Sequence, residues 1–172
     1  MLKLVLIASM ALWVAMPGMV AGEDVWHVKA LSDGNTLGVK AIDSDGKMHG
    51  VKAAGAGQVK AVQARVDGEI LPIKLIDQGG KHLSVKAIRK DGKLMDIKAI
   101  GEGGKKLDVK GVAQDGHVFH IKAIDGDKRL GVKAIGPEGT NCGVKGLRLS
   151  ADAHEGEVNG VKFHGHVKAI CP

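Results

Sequence analysis

Thirteen lysines in this 172-residue chain stand directly after a valine or isoleucine: Lys29, Lys40, Lys52, Lys60, Lys74, Lys86, Lys98, Lys110, Lys122, Lys133, Lys145, Lys162 and Lys168. A regular row of ammonium groups is suited to polyanion binding, because each cation that meets a charged polymer releases condensed counterions. Lys86, Lys98, Lys110, Lys122 and Lys133, from the regular middle of the row, are the candidate surface for an acidic polysaccharide or other envelope polyanion. The plainer role for one lysine per strand is a solvated face whose charge discourages edge pairing with other chains. With two Trp, two Phe and no Tyr, stacking platforms are nearly absent, which disfavours single-stranded nucleic acid and ordinary lectin chemistry.

The eight histidines are the second place to look. His164-Gly165-His166 puts two imidazoles on one face of a strand, and His154 is near in sequence. His154, His164 and His166 are therefore the candidate ligands for a divalent metal such as Zn, Cu or Ni. No further ligand falls at a diagnostic spacing, and no other cofactor is indicated. His27, His120 and His166 each stand two residues before a repeat lysine, where the alternative is a polar residue on the strand face.

Enzyme signatures are missing: there is no Gly-x-Ser-x-Gly elbow, no phosphate-cradling glycine loop ending in Lys-Ser or Lys-Thr, and no His-Glu-x-x-His. Carboxylates gather in turns, where they serve turn geometry. A non-enzymatic protein is expected. Cys142 and Cys171 are expected to form a disulfide that staples the C-terminal strand to the body of the fold.

The elements that carry these residues follow from the repeat. The lysines recur about every 12 residues, with two irregular stretches around Lys60 and Lys162. A mostly large apolar residue stands three before the lysine (Trp26, Leu37, Leu71, Leu83, Met95, Leu107, Phe119, Leu130), Val or Ile one before, and usually Ala or Gly one after. Period two marks a strand with one buried face. Asp-Gly recurs between strands, as at Asp33-Gly34, Asp67-Gly68 and Asp91-Gly92, a strong hairpin cue. The pattern predicts an all-β antiparallel meander of about thirteen short strands, closed or partly closed into a barrel or split into two packed sheets. The alternative is a parallel β-solenoid, which would stack lysine on lysine about 4.8 Å apart along its axis. A transmembrane barrel is disfavoured by strands that are too short and by the lack of aromatic girdles.

The strand register is predicted as well. A type I turn at Arg89-Lys90-Asp91-Gly92 pairs Arg89 with Lys93, Lys86 with Asp96 and Ser84 with Lys98. One unit later it pairs Lys98 with Asp108 and Asp96 with Lys110, so that no lysine faces another lysine.

At the N-terminus, Lys3, an apolar run from Leu4 and the small residues Val20-Ala21-Gly22 have the order of a secretory signal peptide. Residues 1–22 are expected to be removed, leaving one β-repeat domain over 23–172. An uncleaved anchor is the alternative, because the run is just long enough to span a bilayer. The expected protein is secreted or periplasmic: a β-repeat scaffold or interaction protein of the cell envelope or extracellular space.

Overall fold

The computed structural model describes residues 24–172, so the expected signal segment lies outside the described residues. The strands in chain order are β1 (Val25–Ser32), β2 (Asn35–Ile42), β3 (Met48–Ala54), β4 (Val59–Val66), β5 (Glu69–Ile76), β6 (Leu83–Ile88) and β7 (Leu94–Ile100). After a 3-10 turn at Glu102–Gly104 come β8 (Lys106–Asp115), β9 (Val118–Asp125), β10 (Lys128–Ile135) and β11 (Asn141–Leu147). The last three are β12 (Gly156–Val158), β13 (Val161–Phe163) and β14 (Gly165–Ile170). Twelve of them form one sheet, and β12–β13 is a separate two-stranded hairpin.

All pairings are antiparallel, which excludes the solenoid. Consecutive strands from β1 to β11 pair, as a meander requires. The sheet nevertheless branches. On one side β1 gives Lys29–Ser32 to β2 and Val25–His27 to β3, and on its other side it pairs with β10. Every strand of the large sheet behaves this way, splaying so that its two halves meet different neighbours.

Four triads of mutually paired strands result: β1, β2 and β3; β4, β5 and β14; β6, β7 and β8; and β9, β10 and β11. Six seams join them: β1–β10, β2–β7, β3–β4, β5–β6, β8–β9 and β11–β14. Each triad is joined once to each of the other three, which is the connectivity of a tetrahedron with triads at its corners and seams along its edges. The sheet is thus closed, but not as a regular barrel. None of its twelve strands is left with a bare edge, the feature that otherwise invites aggregation.

The core follows from the alternation. One Val or Ile from each of the twelve strands, the residue just before the lysine position, lines a central residual space of about 10 Å³, too small to hold more than a single water. Around this centre, small and large residues interlock across the triads: Ala30 opposite Leu37, Ala64 opposite Leu71, Ala87 opposite Met95 and Ala99 opposite Leu107. These alanines have no exposed surface. Where the sequence places Leu75 instead of alanine, glycines make the room: a Cβ on Gly111 would sit 2.9 Å from Leu75 Cδ2, and one on Gly146 would overlap Leu75 Cδ1.

Turn chemistry selects the hairpins. Asp33-Gly34 has both φ angles positive (33° and 86°), the backbone of a type I′ turn, which aspartate and glycine tolerate. The Arg89–Lys93 turn forms as expected, with Arg89 N donating to Lys93 O (2.9 Å), Gly92 N to Arg89 O (2.9 Å) and Gly92 at φ 83°. The predicted pairs Lys86–Asp96 and Lys98–Asp108 are present. Past the lysine the strands splay, so Ser84 pairs with Lys110 rather than Lys98, and Asp96 with Ile42 rather than Lys110.

The repeat also needs correction at two places. Lys60 is not on the outer face: it is 3 % exposed and occupies an inward position, opposite Ala169. The outward position of β4 belongs to Gln63, which pairs with Lys52 across the β3–β4 seam. Lys162 lies in β13, outside the large sheet. With Gln63 in place of Lys60, the irregular stretch near Lys60 disappears. The one near Lys162 is an insertion, the β12–β13 hairpin, whose Phe163 packs on Ile76 and Ile88.

Candidate functional site: the lysine corners

The outer face carries eleven lysines and Gln63, one at the middle of each strand of the large sheet. Against expectation, lysines do face lysines, and they do so across the seams: Lys29–Lys133, Lys40–Lys98, Lys74–Lys86, Lys110–Lys122 and Lys145–Lys168. The hairpin register avoids such pairs only on the triad side of each strand. Like charges directly opposite one another destabilise a sheet, and partial burial screens them less than water would, so these pairs oppose folding. The cost is limited where the ammonium groups turn to partners on the triad side, as Lys86 does to Asp96 and Lys145 to His120.

On the triad side each lysine lies over the residue two before the lysine of the next strand, and the three contacts of a triad run in a circle. What occupies that position sets the charge of each corner. In the β6-β7-β8 corner, Lys86 pairs with Asp96, Lys98 with Asp108, and Lys110 Nζ donates to Ser84 Oγ (3.1 Å). The hydrogen bond from Lys98 holds the Asp108 carboxyl below its ordinary range. Two of the three cations are therefore neutralised.

The β1-β2-β3 corner differs. Lys29 lies against Gly38, Lys40 against Gly50, and Lys52 Nζ donates to His27 Nδ1 (2.7 Å). The charge of Lys52, then partial burial and the charges of Lys29 and Lys40, push the His27 pKa down and favour the neutral acceptor ring. Burial first, and then Lys40 and Lys29, hold the Lys52 ammonium below its usual value. The β9-β10-β11 corner repeats this plan: Lys122 against Gly131, Lys133 against Gly143, and Lys145 Nζ to His120 Nδ1 (3.0 Å). Burial, Lys133 and Lys122 lower the Lys145 pKa in the same order of causes. Among the described residues, none of these six lysines is in an ion pair.

The β4-β5-β14 corner holds Gln63, Lys74 and Lys168. Lys74 Nζ donates to His166 Nδ1 (2.7 Å) and lies 4.6 Å from the Phe163 ring centre. Burial, with Lys168, lowers the Lys74 pKa.

Of the five lysines singled out in the sequence, Lys86, Lys98 and Lys110 thus form the partly neutralised corner, while Lys122 and Lys133 belong to a cationic one. The sequence reading missed Lys145, which completes that corner, and the matching group Lys29, Lys40 and Lys52. The signal was available: Leu-Gly-Val-Lys-Ala-Ile occurs twice, at 37–42 and 130–135, and an aromatic-His pair precedes it in both places, Trp26-His27 and Phe119-His120.

The histidine group is arranged otherwise than the sequence suggested. His164 precedes β14, and its backbone N–H donates to Leu75 O (2.7 Å). His166 uses one ring nitrogen for Lys74 and has Glu155 Oε2 3.9 Å from the other. No group of three or more His, Cys, Asp or Glu gathers at metal-holding distances among the described residues, so His154, His164 and His166 are not brought together. Cys142 and Cys171 are disulfide-bonded, joining β11 to the end of the chain beyond β14. No helix among the described residues is long and apolar enough to cross a membrane.

A closed antiparallel all-β sheet built from a VKAI-type repeat, with lysines at its corners, is the class of protein that fold and surface define. The chain belongs to a family of unknown function, DUF7486, whose model matches residues 23–170. No curated protein and no solved structure matches it.

Proposed function

We propose that this is an exported, non-enzymatic scaffold or interaction protein of the cell envelope or extracellular space, which binds acidic polymers through its lysine-bearing outer face. The observation that carries the reading is the opposition of lysine to lysine at five of six seams. That arrangement opposes folding and so calls for a compensating role, which an anionic partner supplies. Among the described residues every strand of the large sheet already has partners on both sides, which leaves its outer face as the broad surface for contact. Export is supported by the disulfide, which persists in oxidising compartments, and by the family match beginning at residue 23, the first residue left by the expected cleavage.

The test is retention of the protein, lacking residues 1–22, on immobilised dextran sulfate at increasing NaCl. Binding is expected to weaken steeply and linearly in log-log form. Absent binding, or binding indifferent to salt, contradicts the reading.

A further inference from the structure

The two corners that lack carboxylates are built alike. Lys29, Lys40, Lys52, Gly38, Gly50 and His27 recur, at one constant offset in sequence, as Lys122, Lys133, Lys145, Gly131, Gly143 and His120. The recurrence extends to geometry. A Cβ on Gly38 would lie 3.8 Å from Lys40 Cε and 3.9 Å from Lys29 Nζ, and one on Gly131 would lie 3.8 Å from Lys122 Nζ. A Cβ on Gly50 would lie 3.6 Å from Lys52 Cε, and one on Gly143 3.5 Å from Lys145 Cε and 3.9 Å from Lys133 Nζ. The lysine stems thus lie across the neighbouring strand, within ordinary contact distance of the glycine positions, where no carboxylate stands beside them. In both places the histidine accepts from the third lysine, at 2.7 Å and 3.0 Å, and adds no negative charge.

Three ammonium groups arriving from three strands in cyclic order offer donors from three directions around one axis. A sulfate or phosphate ester has three terminal oxygens to meet them and a bridging oxygen that leads away to the rest of its molecule. A planar carboxylate has only two oxygens, both in one plane, and cannot present a separate oxygen to each of three ammonium groups. The two corners are also neighbours, joined by the β1–β10 seam, where Lys29 faces Lys133. The result is a continuous run of six lysines, suited to a chain with repeated anionic groups.

The geometry points to the β1-β2-β3 and β9-β10-β11 corners as paired sites for tetrahedral oxyanion groups, sulfate or phosphate esters carried on an acidic polysaccharide. This rests on the polyanion reading above and gives it a location and a preferred anion. The β6-β7-β8 corner, where Asp96 and Asp108 occupy the positions that glycine holds in the two sites, is the internal control.

The experiment measures binding of dextran sulfate and of polygalacturonate of matched charge density, with inorganic sulfate as competitor at fixed ionic strength. Three proteins are compared: the wild type, Lys40→Gln/Lys133→Gln, which removes one lysine from each site, and Lys86→Gln/Lys98→Gln, which removes equal charge from the control corner. The expected results are a tenfold or greater preference for dextran sulfate, competition by sulfate and at least tenfold weaker binding for the site variant. The loss is expected to be several-fold smaller for Lys86→Gln/Lys98→Gln, whose lysines share the outer face but are already paired with Asp96 and Asp108. Lys29→Gln/Lys122→Gln repeats the test should the first variant be poorly folded. Equal losses in site and control variants, or no preference for sulfate over carboxylate, overturn the sites and leave diffuse polyanion binding intact. A wild type that binds neither polymer overturns both.

Discussion

Gly146→Ala is expected to destabilise the protein through a single side chain, Leu75. Leu75 has no exposed surface. A Cβ on Gly146 overlaps its Cδ1 and comes within 3.2 Å of its Cγ and of Phe119 Cβ, while a Cβ on Gly165 would sit 3.2 Å from the same Cδ1. The leucine therefore has no free space to move into. Overpacking of this kind costs about 1–3 kcal/mol, and loss of glycine's unfolded-state freedom returns about 0.4–1 kcal/mol. The net cost is about 1–2 kcal/mol, or roughly 2–8 °C in Tm for a domain of this size. Leu75→Ala alone leaves a cavity bordered by glycines and costs about 2–5 kcal/mol. In the double variant the two alanines share the space, so the changes should couple favourably by about 1–3 kcal/mol. Guanidinium unfolding of the four proteins, with the disulfide intact, measures the cycle. Additivity within about 0.5 kcal/mol would refute the interlocking of Leu75 with its glycines.

The reassigned register makes a paired prediction: Gln63→Lys should change stability by less than about 1 kcal/mol, while Lys60→Ala should cost about 2–3 kcal/mol. Gln63 Oε1 has no donor among the described residues and its position holds lysine in every other strand of the sheet. Lys60, by contrast, donates to Gly55 O (2.7 Å) with its ammonium 4.9 Å from the Trp26 ring centre, so truncation removes packing as well as charge. Thermal unfolding of the two variants reads the difference. Replacing Cys142 and Cys171 by Ala should cost about 3–4 kcal/mol, given their sequence separation of 29, with amide exchange rising first in β14. The folded-state pKa values of His27 and His166 lie below the ordinary 6.5, the first chiefly through Lys52 and the second chiefly through burial. The unfolded chain then binds more protons than the folded one below that value, so stability should fall as pH drops from about 6.5 towards the lowered values. His27→Gln/His166→Gln should flatten that slope in urea titrations across this range, and an unchanged slope would contradict the assignment.

Much of this fold was legible in the sequence because the repeat fixes what each strand buries. The alternation around Val85-Lys86-Ala87 gave the inward and outward faces, Asp91-Gly92 gave a turn and the local register, and the two cysteines gave the staple. Branching was not legible. Every unit carries nearly the same apolar pattern, so nothing in Ser84 or Asp96 announces that the strand splays and exchanges partners past its lysine. Lys60 misled because Gln58-Val59-Lys60 imitates the repeat, while Val62-Gln63-Ala64 keeps the true inward pair and changes only the outward residue. The corners were half legible: glycine, histidine and aspartate two before each lysine are plain in the sequence, but their circular arrangement exists only once three strands meet.

The most direct test is the salt dependence of dextran sulfate binding by the wild type and by a variant with Lys29, Lys40, Lys52, Lys122, Lys133 and Lys145 all changed to Gln. If these lysines form the binding surface, the wild type shows a steep negative slope of log Kobs against log salt, and the variant loses about one unit of slope for each lysine that contacted an anion. A variant that keeps the wild-type slope and affinity contradicts the account.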